Sequence, residues 1–319
     1  MTAKEAAIAA FNLQEPEGLV PHFELQFQLG PDLLGSGHLW AEIEQATGTE
    51  KQNLLHRNAD LYSQEAERLD YCLMPINLGP PGRENMVETI RRVHSQIGDH
   101  RLIAVMCDPT MGIPNGENMV EMVMNLAERP DDIKAQQEAG VKEALEEAKA
   151  YFDAGASVAL MCSDYCFNDG PFLSPAMFRE FVFPYLQAAI QGLREIGYYT
   201  VKHTDGDIMP IIDQLVEAGP HAIHSIDPMA GVDLKQVKQQ YGSKVALCGN
   251  VNCALMQTGP LEAIQADAKR SLRDGMPGGG YFFCSSNTPF VGMPLENYLA
   301  ILDVRQKLGR YPYDASRFE

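Results

Sequence analysis

The chain has 319 residues, 45% hydrophobic and 21% charged, a length and composition that suit one large core. Its formal net charge is −18, and a field of that sign repels phosphate backbones, so we do not expect nucleic-acid binding. The apolar runs have the length of strands and are too short to cross a bilayer, so we do not expect a membrane protein.

The N-terminus and the cysteines indicate the compartment. Residues 1–8 lack the apolar core of a secretory signal and predict an exposed helix, the first part of a helical extension over residues 1–18. The seven cysteines are scattered, odd in number and without zinc-finger spacing, which favours reduced thiols. We therefore expect a cytoplasmic protein.

Short β-rich runs alternate with longer amphipathic segments along the rest of the chain. Strands are predicted at residues 20–27, 69–75, 101–107, 157–162, 198–202, 222–226, 244–248 and 281–285. Helices are predicted at residues 85–97, 131–154, 175–195, 208–218, 233–240, 261–273 and 294–308. Such alternation is typical of parallel strands with crossover helices, and eight repeats predict a (β/α)8 TIM-type barrel, one domain over residues 1–319.

Polar and thiol side chains follow most of the predicted strands, at the ends where a barrel of this type carries its active site. His203 and Asp205 stand in the segment Lys-His-Thr-Asp-Gly-Asp at residues 202–207, between the fifth strand and the next helix. The others are Glu24, Asn77, Cys107, Asp108, Cys162, Asp164, Tyr165, His224, Cys248, Asn250, Cys284 and Asn287. Their convergence on one rim predicts an enzyme.

Three of these residues have competing interpretations. We assign His203 to the site because Asp205 stands beside it, and histidine with carboxylate binds metals or moves protons near neutral pH. Asp205 suits a site role and a helix-capping role equally. His224 alternates with apolar neighbours, which favours a buried structural histidine, and a site role is the alternative.

The cysteines at the strand ends are expected to pack as small hydrophobic residues. Thiolate with imidazole is nevertheless a zinc set, and Cys284 is then the first candidate to join His203 as a ligand, with Cys248 the second.

Several short motifs occur in order in the second half of the chain. They are residues 170–175, 178–184, 203–207 (His-Thr-Asp-Gly-Asp), 215–219, 233–238, 249–251, 278–281 and 294–297. From about residue 150 onward this set resembles the uroporphyrinogen decarboxylase superfamily. The resemblance implies a TIM-type barrel with its site at the carboxyl ends of the strands.

One branch of that superfamily decarboxylates porphyrinogens without a cofactor and holds the substrate carboxylates with paired arginines after the first strand. The corresponding stretch here, residues 21–30, contains no arginine, and the late histidine of the decarboxylases falls at Asn287. A substrate with eight carboxylates would also meet little positive charge. The resemblance therefore disfavours porphyrinogen decarboxylation.

The other branch transfers methyl groups to or from the cobalt of a corrinoid protein, often with zinc bound by a His-x-Cys pair and a distant cysteine. In this chain the pair is His203 and Asp205, and Asn287 stands near the position of the distant cysteine. Only the histidine is retained, which disfavours the thiol-activating subtype. It leaves enzymes of the O-demethylase type, which demethylate methoxylated aromatics or other small donors.

We therefore expect a metal-assisted methyltransferase that moves a methyl group from a small donor to a cobalamin carried by a separate corrinoid protein. The assigned roles are: catalytic, His203, Asp164 and Tyr165; substrate-binding, Glu24, His224, Asn250 and Asn287; zinc ligands, His203, Asp205 and Cys284. A cofactor-free decarboxylase of a smaller acid and a non-catalytic ligand-binding barrel are the alternatives. A homodimer is compatible with the fold family, but the sequence identifies no interface.

Overall fold

The main sheet is parallel and curls into a barrel. A computed structural model describes residues 1–76 and 82–319 of the chain, so the predicted rim residue Asn77 lies outside the described residues. The strands of the main sheet are β1 (Leu73–Ile76), β2 (Leu102–Met106), β3 (Val158–Met161), β6 (Tyr199–His203), β7 (Ala222–His224), β8 (Ala246–Val251) and β9 (Tyr281–Ser285). A small antiparallel hairpin, β4 (Cys166–Phe167) with β5 (Gly170–Pro171), follows β3 and was not predicted.

Seven of the eight predicted strands are confirmed, and the first is reduced to one bridge. His22 pairs with Phe283 of β9, and its carbonyl accepts the Cys72 N–H, so this segment lies between β9 and the start of β1. A longer ladder is prevented because Pro21 has no N–H to donate. In addition, the Glu24 side chain accepts the backbone N–H of Ser285, which a continued ladder would use.

The helices cover the outside of the sheet. They are α1 (Ala3–Phe11), α2 (Gly30–Leu34), α3 (Trp40–Gln45), α4 (Gly48–Arg68), α5 (Arg83–Ile97), α6 (Met119–Glu128), α7 (Pro130–Ala154), α8 (Pro175–Phe181), α9 (Phe183–Ile196), α10 (Ile212–Glu217), α11 (Leu234–Tyr241), α12 (Cys253–Thr258), α13 (Leu261–Gly275) and α14 (Leu295–Leu308). None of the helices described combines the length and the apolar character that a membrane span requires.

Prolines explain two helix boundaries that differ from the predictions. The predicted helix 175–195 is divided at Val182, because Pro184 cannot donate to the carbonyl of the preceding turn. The predicted helix 208–218 begins only at Ile212, since Pro210 disfavours the helical conformation at the preceding residue, Met209.

Helix α1 is not exposed as predicted but closes the amino-terminal end of the barrel. A capping box between Thr2 and Glu5 begins the helix. Phe11 is buried, and its ring stacks on Tyr199 and lies against Phe282, each at a centroid distance of 4.7 Å. The open end of the barrel is therefore the carboxyl end of the strands, where the predicted site residues lie.

Candidate active site

Three side chains at the carboxyl end of the barrel bring metal-binding atoms together. Asp164, His203 and Asp205 each offer one such atom, all within 4.8 Å of one another. Nε2 of His203 lies 3.6 Å from Oδ1 of Asp164 and 3.7 Å from Oδ1 of Asp205. The cluster forms because β3 and β6 are neighbours in the sheet, which brings Asp164 beside His203 although 39 positions separate the two residues.

Backbone and side-chain contacts fix Asp205. Its N–H donates to Oδ1 of Asp164 at 3.0 Å, the hydroxyl of Ser225 lies 2.9 Å from its Oδ1, and the amide of Asn287 donates to its Oδ2. Burial, and next the charge of Asp164, raise the pKa of Asp205 to about 7. Of the two roles predicted for Asp205, these contacts favour the site role.

Gly206 is required by the turn that carries Asp205. Its φ is +84°, and a Cβ at this position would lie 2.5 Å from the carbonyl oxygen of Phe167. Only glycine adopts this conformation at such a close approach without strain. The hairpin β4–β5 therefore packs directly on the His-Thr-Asp-Gly-Asp motif.

His203 is 5% exposed, and burial lowers its pKa to about 4, so the imidazole is neutral at pH 7 and has a lone pair for a metal. Its Nδ1 lies 2.9 Å from Nδ1 of His224, its register partner on β7. His224 is fully buried and does not line the cleft described below. The structure therefore places it against His203 in the barrel interior and not in the wall of the cleft.

A cleft of about 540 Å³ opens beside this cluster. Its lining residues are Gln26, Gln28, Asn168, Asp205, Asp227, Met229, Cys253, Ala254, Gln257, Ser286, Asn287, Thr288 and Phe290. No lysine or arginine is among these described residues, so the cleft offers amides and carboxylates but no fixed cation. A larger cavity of about 900 Å³ between α11, α13 and the C-terminal segment contains none of the strand-end residues.

The remaining predicted residues lie apart from the cluster. Glu24 is fully buried and bonded to Ser285, and burial raises its pKa to about 8. Asn250 is also buried, with its amide donating to the carbonyl of Ile226 at 2.6 Å and its oxygen accepting from Arg270 at 3.1 Å. The polar atoms of both side chains are therefore occupied by internal partners.

Tyr165 and Cys284 are buried as well. The hydroxyl of Tyr165 lies 2.5 Å from Oγ1 of Thr110. The thiol of Cys284 faces the carbonyl of Phe282 at 3.9 Å, inside the apolar barrel core, and burial raises its pKa well above the ordinary value. Cys284, predicted as a zinc ligand, does not belong to the cluster of Asp164, His203 and Asp205.

A buried ion pair under the site was not predicted from the sequence. Nζ of Lys202 is fully buried, donates to Oδ2 of Asp108 at 2.7 Å and to the carbonyl of Ser163 at 2.8 Å, and lies 4.1 Å from the Tyr165 ring centroid. Burial opposes ionisation of Asp108, but the Lys202 ammonium and the hydrogen bonds hold its pKa below the usual range. The sequence does contain a signal for this ion pair, namely a lysine inside a β-rich run and an aspartate that follows another strand.

The donor set fits a metal ion. Imidazole nitrogen and carboxylate oxygen bind zinc at about 2.0–2.2 Å, and one ion can reach ligand atoms that are 3.6 and 3.7 Å apart. The set contains nitrogen and oxygen but no sulfur, so it is harder than the thiolate sets of zinc proteins.

Comparison with known proteins identifies relatives in sequence. Residues 86–308 match the family described as uroporphyrinogen decarboxylase (URO-D). The uroporphyrinogen decarboxylase of Aromatoleum aromaticum is 29% identical over 142 residues, which cover 42% of this chain and 36% of the relative. That of Thioalkalivibrio sulfidiphilus is 26% identical over 170 residues, 50% of this chain and 44% of the relative. The chain thus matches less than half of the length of these relatives.

Solved structures share the fold over nearly the whole chain. A methyltransferase from Methanosarcina mazei superposes with a TM-score of 0.70 at 21% identity, covering 96% of this chain and 98% of the other. A B12-independent methionine synthase from Shewanella sp. W3-18-1 gives a TM-score of 0.56 at 15% identity, covering 90% and 97%. Together with the parallel, curled sheet, these similarities confirm the predicted TIM-type fold.

Proposed function

Because this chain belongs to the uroporphyrinogen decarboxylase family, we propose that it is an enzyme of that family, and specifically a methyltransferase that moves a methyl group from a small donor to the cobalt of a corrinoid protein. The observation that carries the proposal is the convergence of Asp164, His203 and Asp205 on a site for one ion beside a cleft. A cleft without a described lysine or arginine is poorly suited to hold carboxylates, which disfavours the decarboxylase alternative.

His203 and Asp205 would hold the metal, for which we propose zinc. When bound, the ion would supply Lewis-acid activation of the leaving group of the donor. The neutral imidazole of His203 offers its Nε2, and the contacts from Ser225 and Asn287 keep Asp205 aimed at the same point.

A proton is also needed on the leaving oxygen. Asp164 supports this role because its side chain is 46% exposed at the mouth of the barrel, whereas the hydroxyl of Tyr165 is turned to Thr110. We therefore assign delivery of this proton to Asp164, which in this proposal lies next to the metal but is not one of its ligands.

The cleft suits a small donor such as a methoxylated aromatic. Its volume of about 540 Å³ is in the range of small-molecule sites, with Phe290 and Met229 as apolar walls and Asn287 and Gln26 as hydrogen-bonding groups. The donor would lie beside Asp205, which lines the cleft and belongs to the metal-binding cluster.

Exposed apolar side chains near the carboxyl end of the barrel support the proposal that a protein partner docks there. Helix α6 exposes Val120 (70%), Val123 (50%) and Met124 (51%), and the loop before it meets the site, since the N–H of Ile113 donates to the carbonyl of Asp164 at 2.7 Å. An apolar surface of this kind is typical of a docking site. We propose that the corrinoid protein, which carries the cobalamin, docks here.

The test is a reconstituted methyl transfer. The chain is loaded with zinc and mixed with a reduced corrinoid protein and a panel of methoxyarenes, and formation of methyl-cobalt is followed by absorbance. We expect donor-dependent methylation that His203→Leu abolishes and that His56→Leu, at an exposed histidine of α4, leaves intact. Carbon dioxide release without the corrinoid protein would favour the decarboxylase, and no turnover together with a metal content near zero would reject the proposal.

A further inference from the structure

The rings of His203 and His224 share a contact that the proposed chemistry does not use. Their Nδ1 atoms are 2.9 Å apart. A neutral imidazole has one N–H and one acceptor nitrogen, so one Nδ1 must carry the hydrogen and the other must accept it. The position of this hydrogen decides whether Nε2 of His203 is a donor or a free lone pair.

The surroundings of the two Nε2 atoms favour one arrangement without a metal. Nε2 of His203 faces Oδ1 of Asp164 and Oδ1 of Asp205 at 3.6 and 3.7 Å. Both oxygens already accept a hydrogen bond, from the Asp205 N–H and the Ser225 hydroxyl, and such acceptors repel a lone pair and attract an N–H. Nε2 of His224 is buried in the barrel near the ring of Phe23 and has no hydrogen-bond partner among the described residues, so an N–H there would lose its hydration without compensation. Both effects keep the hydrogen on Nδ1 of His224 and the other hydrogen on Nε2 of His203.

A bound metal requires the opposite arrangement. With a metal bound, Nε2 of His203 would have to offer its lone pair, so the hydrogen of His203 would be on Nδ1 and would be donated to His224. In the metal-bound state the hydrogen of His224 would then be on Nε2 rather than Nδ1, so that the pair of rings has the same number of protons in both states. A ligating histidine that donates its other N–H is the usual arrangement at metal sites, where the acceptor fixes the ring and the tautomer.

We propose that His224 is a positioning residue of this site, which orients His203 and reverses its own tautomer when a metal binds. The role rests on the metal centre of the proposed function. It differs from the substrate contact predicted from the sequence, because His224 acts through His203 and is fully buried.

Two variants of nearly equal shape test this role. In His224→Asn a polar atom replaces Nδ1 and can accept from His203, whereas His224→Leu has the same branching without a polar atom. Zinc affinity is measured by competition with a fluorescent chelator, and the cobalt(II) spectrum reports the ligand field. We expect His224→Asn to stay within about threefold of the unsubstituted chain and His224→Leu to lose about 10- to 100-fold. Thermal melting of the metal-free proteins separates this effect from a loss of folding.

Nitrogen-15 NMR of the histidine rings gives a second readout. In the metal-free chain we expect the hydrogen of His224 on Nδ1, and after zinc is added on Nε2. Unchanged zinc affinity in a folded His224→Leu variant, or an unchanged tautomer on zinc binding, would overturn the role of His224 but not the metal site. Absence of zinc binding in the unsubstituted chain would overturn both this role and the metal premise of the proposed function.

Discussion

Glu24 was predicted to bind substrate, and its burial allows a direct test of whether it is a structural residue instead. Its carboxyl group is fully buried and bonded to the N–H and hydroxyl of Ser285, and burial raises its pKa from 4.5 to about 8. Between these two pH values the unfolded chain has released the proton and the folded chain still holds it. The contribution of Glu24 to the unfolding free energy is therefore complete below pH 4.5. It falls as the pH rises to about 8, by about 1.4 kcal/mol per pH unit at most.

The substitution Glu24→Gln removes this dependence while keeping an oxygen that accepts from Ser285. Between pH 5 and pH 8 we expect the unsubstituted chain to lose about 3–4 kcal/mol of unfolding free energy relative to Glu24→Gln. Urea unfolding followed by circular dichroism at several pH values gives this difference, and other titrating groups cancel in the comparison. Glu17→Gln, at an exposed glutamate, is the control and should leave the pH profile unchanged.

Parallel pH profiles for Glu24→Gln and the unsubstituted chain would refute the reasoning. They would mean that the folded chain ionises Glu24 at an ordinary pH, as a carboxylate in contact with water does. The predicted role of Glu24 in substrate binding would then regain support.

Three further predictions concern the frame of the site. Lys202→Met leaves Asp108 as an unpaired buried charge and should cost about 3–5 kcal/mol in urea unfolding, and an unchanged midpoint would mean that the pair is hydrated. Gly206→Ala should lower the melting temperature and the zinc affinity more than Gly231→Ala does. Gly231 is the control because it has a similar φ of +77° but no atom within 4 Å of an added Cβ. Equal effects of the two substitutions would mean that the close approach of Gly206 to the Phe167 carbonyl is not the cause. Val123→Asp should raise the KM for the corrinoid protein at unchanged zinc content, and an unchanged KM would place the docking surface elsewhere.

The sheet was predictable because each strand is a short apolar run between amphipathic helices, a pattern that neighbouring residues define. The predicted strand over residues 20–27 is the exception, because its conformation depends on residues that are distant in the sequence. The Glu24 side chain accepts the N–H of Ser285, which is 261 positions away. That His203 and Asp205 lie together also followed from the sequence, because both stand in one short segment at the end of β6. Their partner Asp164 was predicted for another role, since its distance to His203 depends on how the loop after β3 bends.

Side-chain direction at strand ends explains the remaining differences. Cys284 closes a strand, as a metal ligand at the rim should, but its thiol points into the apolar core of the barrel. Lys202 lies in an apolar run, and no local pattern shows that Asp108, 94 positions earlier, neutralises it. Sequence periodicity gives the face of a strand, but it does not give the partner that a terminal side chain finds there.

The two faces of the β6 terminus are held by different neighbours, and these contacts together fix the direction of the His203 side chain. Successive residues of a strand point to opposite faces, so Lys202 and His203 leave β6 in opposite directions. Lys202 is fixed outside the barrel by Asp108 and by carbonyls at the end of β3, and His203 is fixed inside it by His224 of β7. We expect that loss of either contact would let the strand end rotate and would move Nε2 of His203 away from Asp164 and Asp205. Lys202→Met should therefore weaken zinc binding as well as folding, although Lys202 itself contacts neither Asp164 nor Asp205 within the described network.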